Sequence, residues 1–256
     1  SLEKSSHQVK VKVMDASELY DPEFRKLIKS KKPTVIIPVG SIEQHGAHLP
    51  ITTDSDIVTE IASRLAKKCG FIVFPTISYG VSFEHEPLIN ISIKPDALNW
   101  LLANIIMTLT SATIQSCIIL NGHHGNVFTL DSLESYMKKQ MKRDEARVDG
   151  LRLQSFKSYS YWKFMKHEFD HAGFVETSIM LAISDKVKMK KAKKGFTTNG
   201  LSEKEIQRIN KLSTEPGGFP TVAKNGVWGD PTDATKKDGK KFLAEIVRNL
   251  AKECQS

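Results

Sequence analysis

Apolar positions along this chain switch between two spacings. Residues 34–39 form a β-branched, almost unbroken apolar run that reads as a buried strand, and 71–74 and 117–120 repeat it more briefly. Between these runs the spacing lengthens to that of a helix at 56–68, which Gly70 ends, and again from Pro95 through Ile106. Ahead of the first strand, 9–14 alternates enough for an edge strand or extended arm, and 16–31 reads as a helix carrying Leu19, Phe24 and Leu27. Further along, a helix is expected over 126–142 on Phe128, Leu130, Leu133 and Met137, and a strand over 151–156. A short helix over 202–212 and a final helix over 234–251 complete the pattern. Strand, helix and strand in succession point to parallel βαβ units, so the expected class is α/β, with a single domain spanning 1–256.

The loops after these strands carry the chemistry, as parallel sheets favour. The stretch GSIEQHGAHLPITTD, 40–54, leaves the first strand. On extended chain, residues two apart face the same way, so Glu43 and His45 can meet at one point, and Asp54 returns a second carboxylate where the next helix starts. Carboxylate, imidazole and carboxylate suit Zn, Mn or Fe, and an Asp can bridge two ions. Asp54 also suits a plain helix N-cap. NGHHGN, 121–126, places His123 and His124 at the end of the third strand. Glu176 lies inside the apolar helical pattern of 170–181, where a buried carboxylate needs a metal or an imidazole; on the wet side of that helix it would need neither. His171 is free to serve as a proton donor to a departing nitrogen. The stretches 216–220 and 226–234 read as loops able to fold over a site. The chain contains no GxSxG elbow, P-loop or GxGxxG, which leaves metal-assisted hydrolysis as the better mechanism.

Composition narrows the class. Hydrophobic content of 40% and charge of 26% over 256 residues are globular values. The apolar-rich stretch 98–120 is broken by Asn99, Asn104 and Gln115, so no membrane partner is expected, and the first ten residues lack a signal-peptide core, so a cytoplasmic protein is. Cys69, Cys117 and Cys254 form no CxxC pair and argue against both a disulfide scaffold and a thiolate zinc site. The net charge of +8 is spread along the chain, and its densest cluster, KVKMKKAKK at 186–194, has no interleaved aromatics, so no nucleic-acid partner is expected.

Three motifs then stand together: Gly-Ser-x-Glu-Gln-His-Gly-x-His-Leu-Pro-x-x-Thr-Asp at 40–54, Asn-Gly-His-x-x-Asn at 121–126 and His-Ala-Gly-x-x-Glu-Thr-Ser at 171–178. With the tail GVWGDPTDATKKDGK, they resemble the creatininase (creatinine amidohydrolase) family over almost the whole chain. The resemblance implies a three-layer α/β/α fold with a mostly parallel central sheet, a cofactor of two divalent metal ions, a small-molecule amide substrate and a homo-oligomer. Carried over by position, Glu43, Asp54 and His123 would hold one ion and His45 and Asp54 the other, with His171 as the catalytic histidine and Ser82 as a substrate contact. Creatinine hydrolases carry Tyr-Glu directly after the motif histidine, where this chain has His124 and Gly125. Glu176 is therefore the expected replacement ligand and the catalytic companion of His171, and His124 an expected substrate contact. His167 stands where the family has one aromatic gate residue. These departures turn the expectation from creatinine to another cyclic amide or a formamide. The alternatives are an archaeal-type formamidopyrimidine-ribonucleotide deformylase, whose phosphorylated substrate the surplus of lysines would suit, and a non-catalytic metal-binding or scaffold protein.

Overall fold

The computed structural model describes residues 14–31, 33–112, 114, 116–143 and 155–255. In chain order the elements are β1 (Met14–Asp15), α1 (Asp21–Lys31), β2 (Thr34–Val39), α2 (Thr53–Cys69), β3 (Ile72–Val73), α3 (Pro95–Ser111), β4 (Ser116–Asn121) and α4 (Val127–Arg143). There follow β5 (Ser155–Ser160), α5 (Phe174–Ile183), α6 (Glu203–Ser213), the single turn α7 (Phe219–Val222) and α8 (Lys236–Gln255). The five strands form one sheet in the order β1-β3-β2-β4-β5, with every pairing parallel.

The unbroken apolar run of β2 has a direct cause, since both faces of the strand are covered. Val35, Ile37 and Val39, with Cys117 and Ile119 of β4, pack against Leu98, Leu102 and Ile106 of α3 and Leu130 and Leu133 of α4. Ile36, Ile118 and Leu120 point the other way, onto Ile57, Ile61 and Leu65 of α2, Val175 and Ile179 of α5, and Leu243 and Ile246 of α8. The result is the three-layer α/β/α arrangement. No helix among the described residues is long and apolar enough to cross a membrane.

Several boundaries differ from the sequence reading. Only Met14 of the expected 9–14 strand is described, as part of β1, and 9–13 lie outside the described residues. The helix expected over 16–31 is divided at Leu19 and Tyr20 into a turn, Ala16–Glu18, and α1, whose second residue is Pro22, a residue suited to a helix start and not to an interior. Residues 151–154 of another expected strand also lie outside the described residues, while β5 continues to Ser160, into a stretch expected as an aromatic loop. α2 begins at Thr53, three residues early, so Asp54 lies inside its first turn and is not its N-cap.

Register sets the position of the site. Val39 pairs with Asn121, and Asn121 with Ser160, so β2, β4 and β5 end level and release their loops side by side. Two glycines let those ends approach α2. A Cβ on Gly40 would stand 2.6 Å from Ser55 Cα, and one on Gly122 would stand 2.7 Å from both Asp54 O and Val58 Cβ. Gly122→Ala should therefore lower the unfolding free energy by about 1–3 kcal/mol, measured by denaturant titration, because the backbone of α2 has to yield. Wild-type stability in that variant would show that the contact is slack.

Candidate metal centre

An asparagine network holds the strand-end loops in register. Asn126 Nδ2 donates to Gly40 O at 3.0 Å, while its Oδ1 accepts from Val81 N at 2.9 Å. Asn121 Oδ1 accepts from His123 N at 3.0 Å, and Asn121 Nδ2 donates to Ser160 Oγ at 3.3 Å. The loops after β2, β4 and β5 and the segment carrying Val81 are thereby tied to one another, with side chains doing the work that a buried loop's own backbone cannot.

Within this frame, Glu43, His45, Asp54, His123 and Glu176 converge and are buried. Among the described residues four groups have ligand atoms close enough to share an ion: Glu43–Asp54–His123 and His45–Asp54–Glu176, which have Asp54 in common, and Glu43–His45–His171 and Glu43–Glu84–His85. Asp54 Oδ2 lies 2.9 Å from His123 Nδ1 and accepts from Ser41 Oγ at 2.6 Å, while its Oδ1 lies 3.0 Å from His45 Nε2. His123 Nε2 is 2.8 Å from Val81 O, which orients the ring and leaves Nδ1 toward Asp54. Glu176 stands in the first turn of α5, fully buried, so the wet-side alternative is ruled out. Its Oε2 accepts from Ala172 N at 2.6 Å and lies 3.6 Å from His45 Nε2, and its Oε1 has no partner. Ala172 adopts a left-handed φ of 53°, which turns the chain from the His171–Trp228 bridge into α5.

The electrostatics fit a divalent cation. Among the described residues no Lys or Arg pairs with Glu43, Asp54 or Glu176, and the ionisable donors beside them are imidazoles. Neither Glu43 oxygen receives a well-aligned hydrogen bond, although His85 Nε2 and His123 Nε2 stand 3.0 and 3.2 Å away. Buried carboxylates left in this condition are costly unless a cation joins them. Burial pushes His45 down, yet Asp54, Glu176 and Glu43 together raise it to about 10. His123 is likewise raised well above its ordinary range, burial being outweighed by Glu43, Asp54 and Glu84. Burial and the neighbouring Asp54 and Asp170 push Glu176 well up, against the pull of His45.

His171 stands at the edge of this cluster. Its Nε2 meets Gln44 O at 3.0 Å and its Nδ1 is 3.8 Å from Glu43 Oε1. Burial, then His45 and His85, press its pKa well below the ordinary value. His85, Gln44 and Glu84 belong to the same centre, and the sequence reading passed over all three. The only signal for His85 and Glu84 was that residues 75–87 are too polar and aromatic for a simple connector. Gln44 was hidden by strand logic, which sends it away from the face shared by Glu43 and His45. Glu84 Oε1 lies 3.4 Å from His123 Nε2, and a Cβ on Gly125 would collide with Val81 O, Glu84 Oε1 and His123 Nε2 alike, so the glycine lets this loop approach the segment that carries Val81 and Glu84.

A cavity of about 480 Å³ opens onto Asp54, His123 and His171. His124 lines it in stacked contact with Trp162 and Phe169, at ring-centroid distances of 5.8 and 6.2 Å. Phe219 and Trp228, from the two stretches expected to fold over a site, do line it, together with Ile206 and Asn210 of α6. His167 packs on Phe174 and Phe242 instead and is outside the lining. Ser82 is buried, its hydroxyl without a partner, and is also outside the lining. No Lys or Arg occurs among the described lining residues, whereas Glu84, Glu168 and Asp170 do.

The family model described as "Creatininase: Creatinine amidohydrolase" matches residues 17–254. A mycofactocin precursor peptide peptidase of Mycobacterium ulcerans (strain Agy99) is 32% identical over 234 residues, 86% of this chain and 84% of its own. A creatinine amidohydrolase of Pseudomonas putida is 27% identical over 191 residues, 65% of this chain and 70% of its own. The solved structure described as "Creatininase Mn" shares the fold with a TM-score of 0.80 at 20% identity, over 95% of this chain and 98% of that one.

Because Asp54 is common to Glu43–Asp54–His123 and His45–Asp54–Glu176, whereas His45 has no place in the first of these, Asp54→Asn should cost more bound divalent metal than His45→Ala, read by elemental analysis after dialysis of folded protein. Equal content in both variants and the wild type would remove Asp54 from the centre.

Proposed function

Because this chain belongs to the creatininase family of metal-dependent C–N hydrolases, we propose that it cleaves a small non-peptide amide, either a cyclic amide or a formamide. Its branch is not that of the creatinine hydrolases, as the glycine at 125 and the greater likeness to the mycobacterial peptidase indicate. In this reading Glu43, Asp54 and His123 hold one divalent ion, and His45, Asp54 and Glu176 the other, the ions being Zn, Mn or Fe. Such a pair, when bound, activates water near neutral pH and polarises the carbonyl under attack. His171 supplies a proton to the departing nitrogen, held by Gln44 at one ring nitrogen with the other toward Glu43. Glu176 shares the catalytic work by keeping His45 and the Ala172 N–H in place. His124, Trp162 and Phe169 provide a flat wall for the substrate, whereas Ser82, buried outside the cavity lining, would bond a water sooner than the substrate.

The observation that carries the substrate reading is the cavity. Its 480 Å³ suits a small molecule, and its lining of aromatic and acidic side chains suits a flat group that is neutral or positively charged. That lining disfavours the deformylase alternative, since no described lysine or arginine is there to meet a phosphate. The chain's surplus of positive charge lies elsewhere. The scaffold alternative would rest on the missing acid at 125, and Glu84 beside His123 with Glu176 beside His45 speaks against it. Peptide cleavage is the second reading, favoured by a likeness to the peptidase that runs along most of both chains. The enzyme is further read as a cytoplasmic homo-oligomer, and exposed Ile51, Tyr79, Ile89 and Ile91 on loops near the centre support self-association.

Turnover should be screened on creatinine, hydantoins, formamidopyrimidines with and without phosphate, and short peptides. We expect hydrolysis of an unphosphorylated cyclic amide or formamide, abolished by chelator and restored by divalent metal; activity confined to peptides would overturn the substrate class. On the accepted amide, His171→Asn should lower turnover by roughly 10²- to 10⁴-fold while bound metal stays at the wild-type level. An unchanged rate would take the proton transfer away from His171.

A further inference from the structure

We infer that Gln44 is the positioning residue that decides which ring nitrogen of His171 carries a proton. This rests on the reading above, in which His171 serves the departing nitrogen. Gly46 N donates to Gln44 Oε1 at 3.0 Å, which fixes the oxygen end of the amide. The NH2 end therefore faces two imidazoles, His85 Nδ1 at 3.0 Å and His171 Nε2 at 3.1 Å. An amide nitrogen only donates, so each of those ring nitrogens accepts its hydrogen bond when bare. His85 then bears its hydrogen on Nε2, 3.0 Å from Glu43 Oε1, and His171 bears its hydrogen on Nδ1, 3.8 Å from the same oxygen.

The backbone of Gln44 gives the opposite instruction. Its carbonyl oxygen lies 3.0 Å from His171 Nε2 and can only accept, so it favours a hydrogen on Nε2. One residue thus offers a partner for either proton position, the side-chain amide for a bare Nε2 and the carbonyl for an Nε2–H. The rings have little freedom to evade this choice. Phe219 packs on both, at centroid distances of 4.5 Å from His85 and 4.8 Å from His171. Gly226, at φ 74°, backs the amide so closely that a Cβ there would collide with Gln44 Oε1.

The test is nitrogen NMR of isotope-labelled histidine in the full-length, zinc-loaded protein, with His171 assigned through His171→Asn. In the wild type we expect a populated Nδ1–H form. Gln44→Met lacks the donor and Gln44→Glu can only accept, so in both the population should move to Nε2–H. Gly226→Ala, which disturbs the amide without altering its chemistry, should move it the same way and serves if the Gln44 variants do not fold. For the accepted amide, kcat should fall by roughly 10- to 100-fold in Gln44→Met with little change in KM, as for other groups that orient a catalytic residue from behind. An unmoved His171 signature in every variant overturns the inference even if turnover falls, since that loss would then be one of packing. If the wild type itself turns over no amide, the hydrolase reading fails, and the NMR result still decides the role of Gln44.

Discussion

Three carboxylates, Glu43, Asp54 and Glu176, are withdrawn from water in one place where the described protein supplies no lysine or arginine to meet them. Desolvating an acid costs several kcal/mol unless a charge or a set of donors compensates, so this concentration is a cost that the rest of the fold has to carry. The chain answers with histidines, and the perturbed pKa values of His45 and His123 express how strongly the cluster draws positive charge. Such a centre is a poor contributor to stability and a good receptor for cations.

The scaffold bears that cost because it is rigid where the cluster sits. Level strand ends bring the loops out together, and Asn121 and Asn126 bind the loops to one another by meeting Gly40 O, Val81 N and His123 N with side-chain groups. Gly40 and Gly122 then allow the sheet and α2 to approach until Asp54 reaches the centre from inside its helix. Gly125 belongs to the same logic, because it admits Val81 O and, with it, the Glu84 carboxylate beside His123.

Charge at the site and charge of the chain are different quantities. A net +8 describes the whole surface, yet the cavity before the cluster is walled by aromatic rings and acids. Substrate preference follows the local wall and not the sum, because surface charges beyond about 10 Å are screened at ordinary ionic strength. The stacked His124, Trp162 and Phe169 give that wall its flat face.

The amino-acid order alone determined the parallel α/β class and marked the motif residues that meet at the centre, while the three layers came with the family resemblance. The β-branched run at 34–39 could be stable only with both faces covered, and Glu43, His45, Asp54, His123, His171 and Glu176 stand in the three motifs at 40–54, 121–126 and 171–178. Tertiary structure decided the rest. It placed Asp54 within a helix turn when the local signal also suited a cap, buried Glu176 on a helix whose wet side was open to it, and brought Gln44, Glu84 and His85 to the cluster. Periodicity reports which face of an element is apolar, and it does not report which loops cross at the sheet end. Contacts between residues forty or more positions apart, such as Gln44 with His85 and His171, arise only when packing of the layers fixes where those loops emerge.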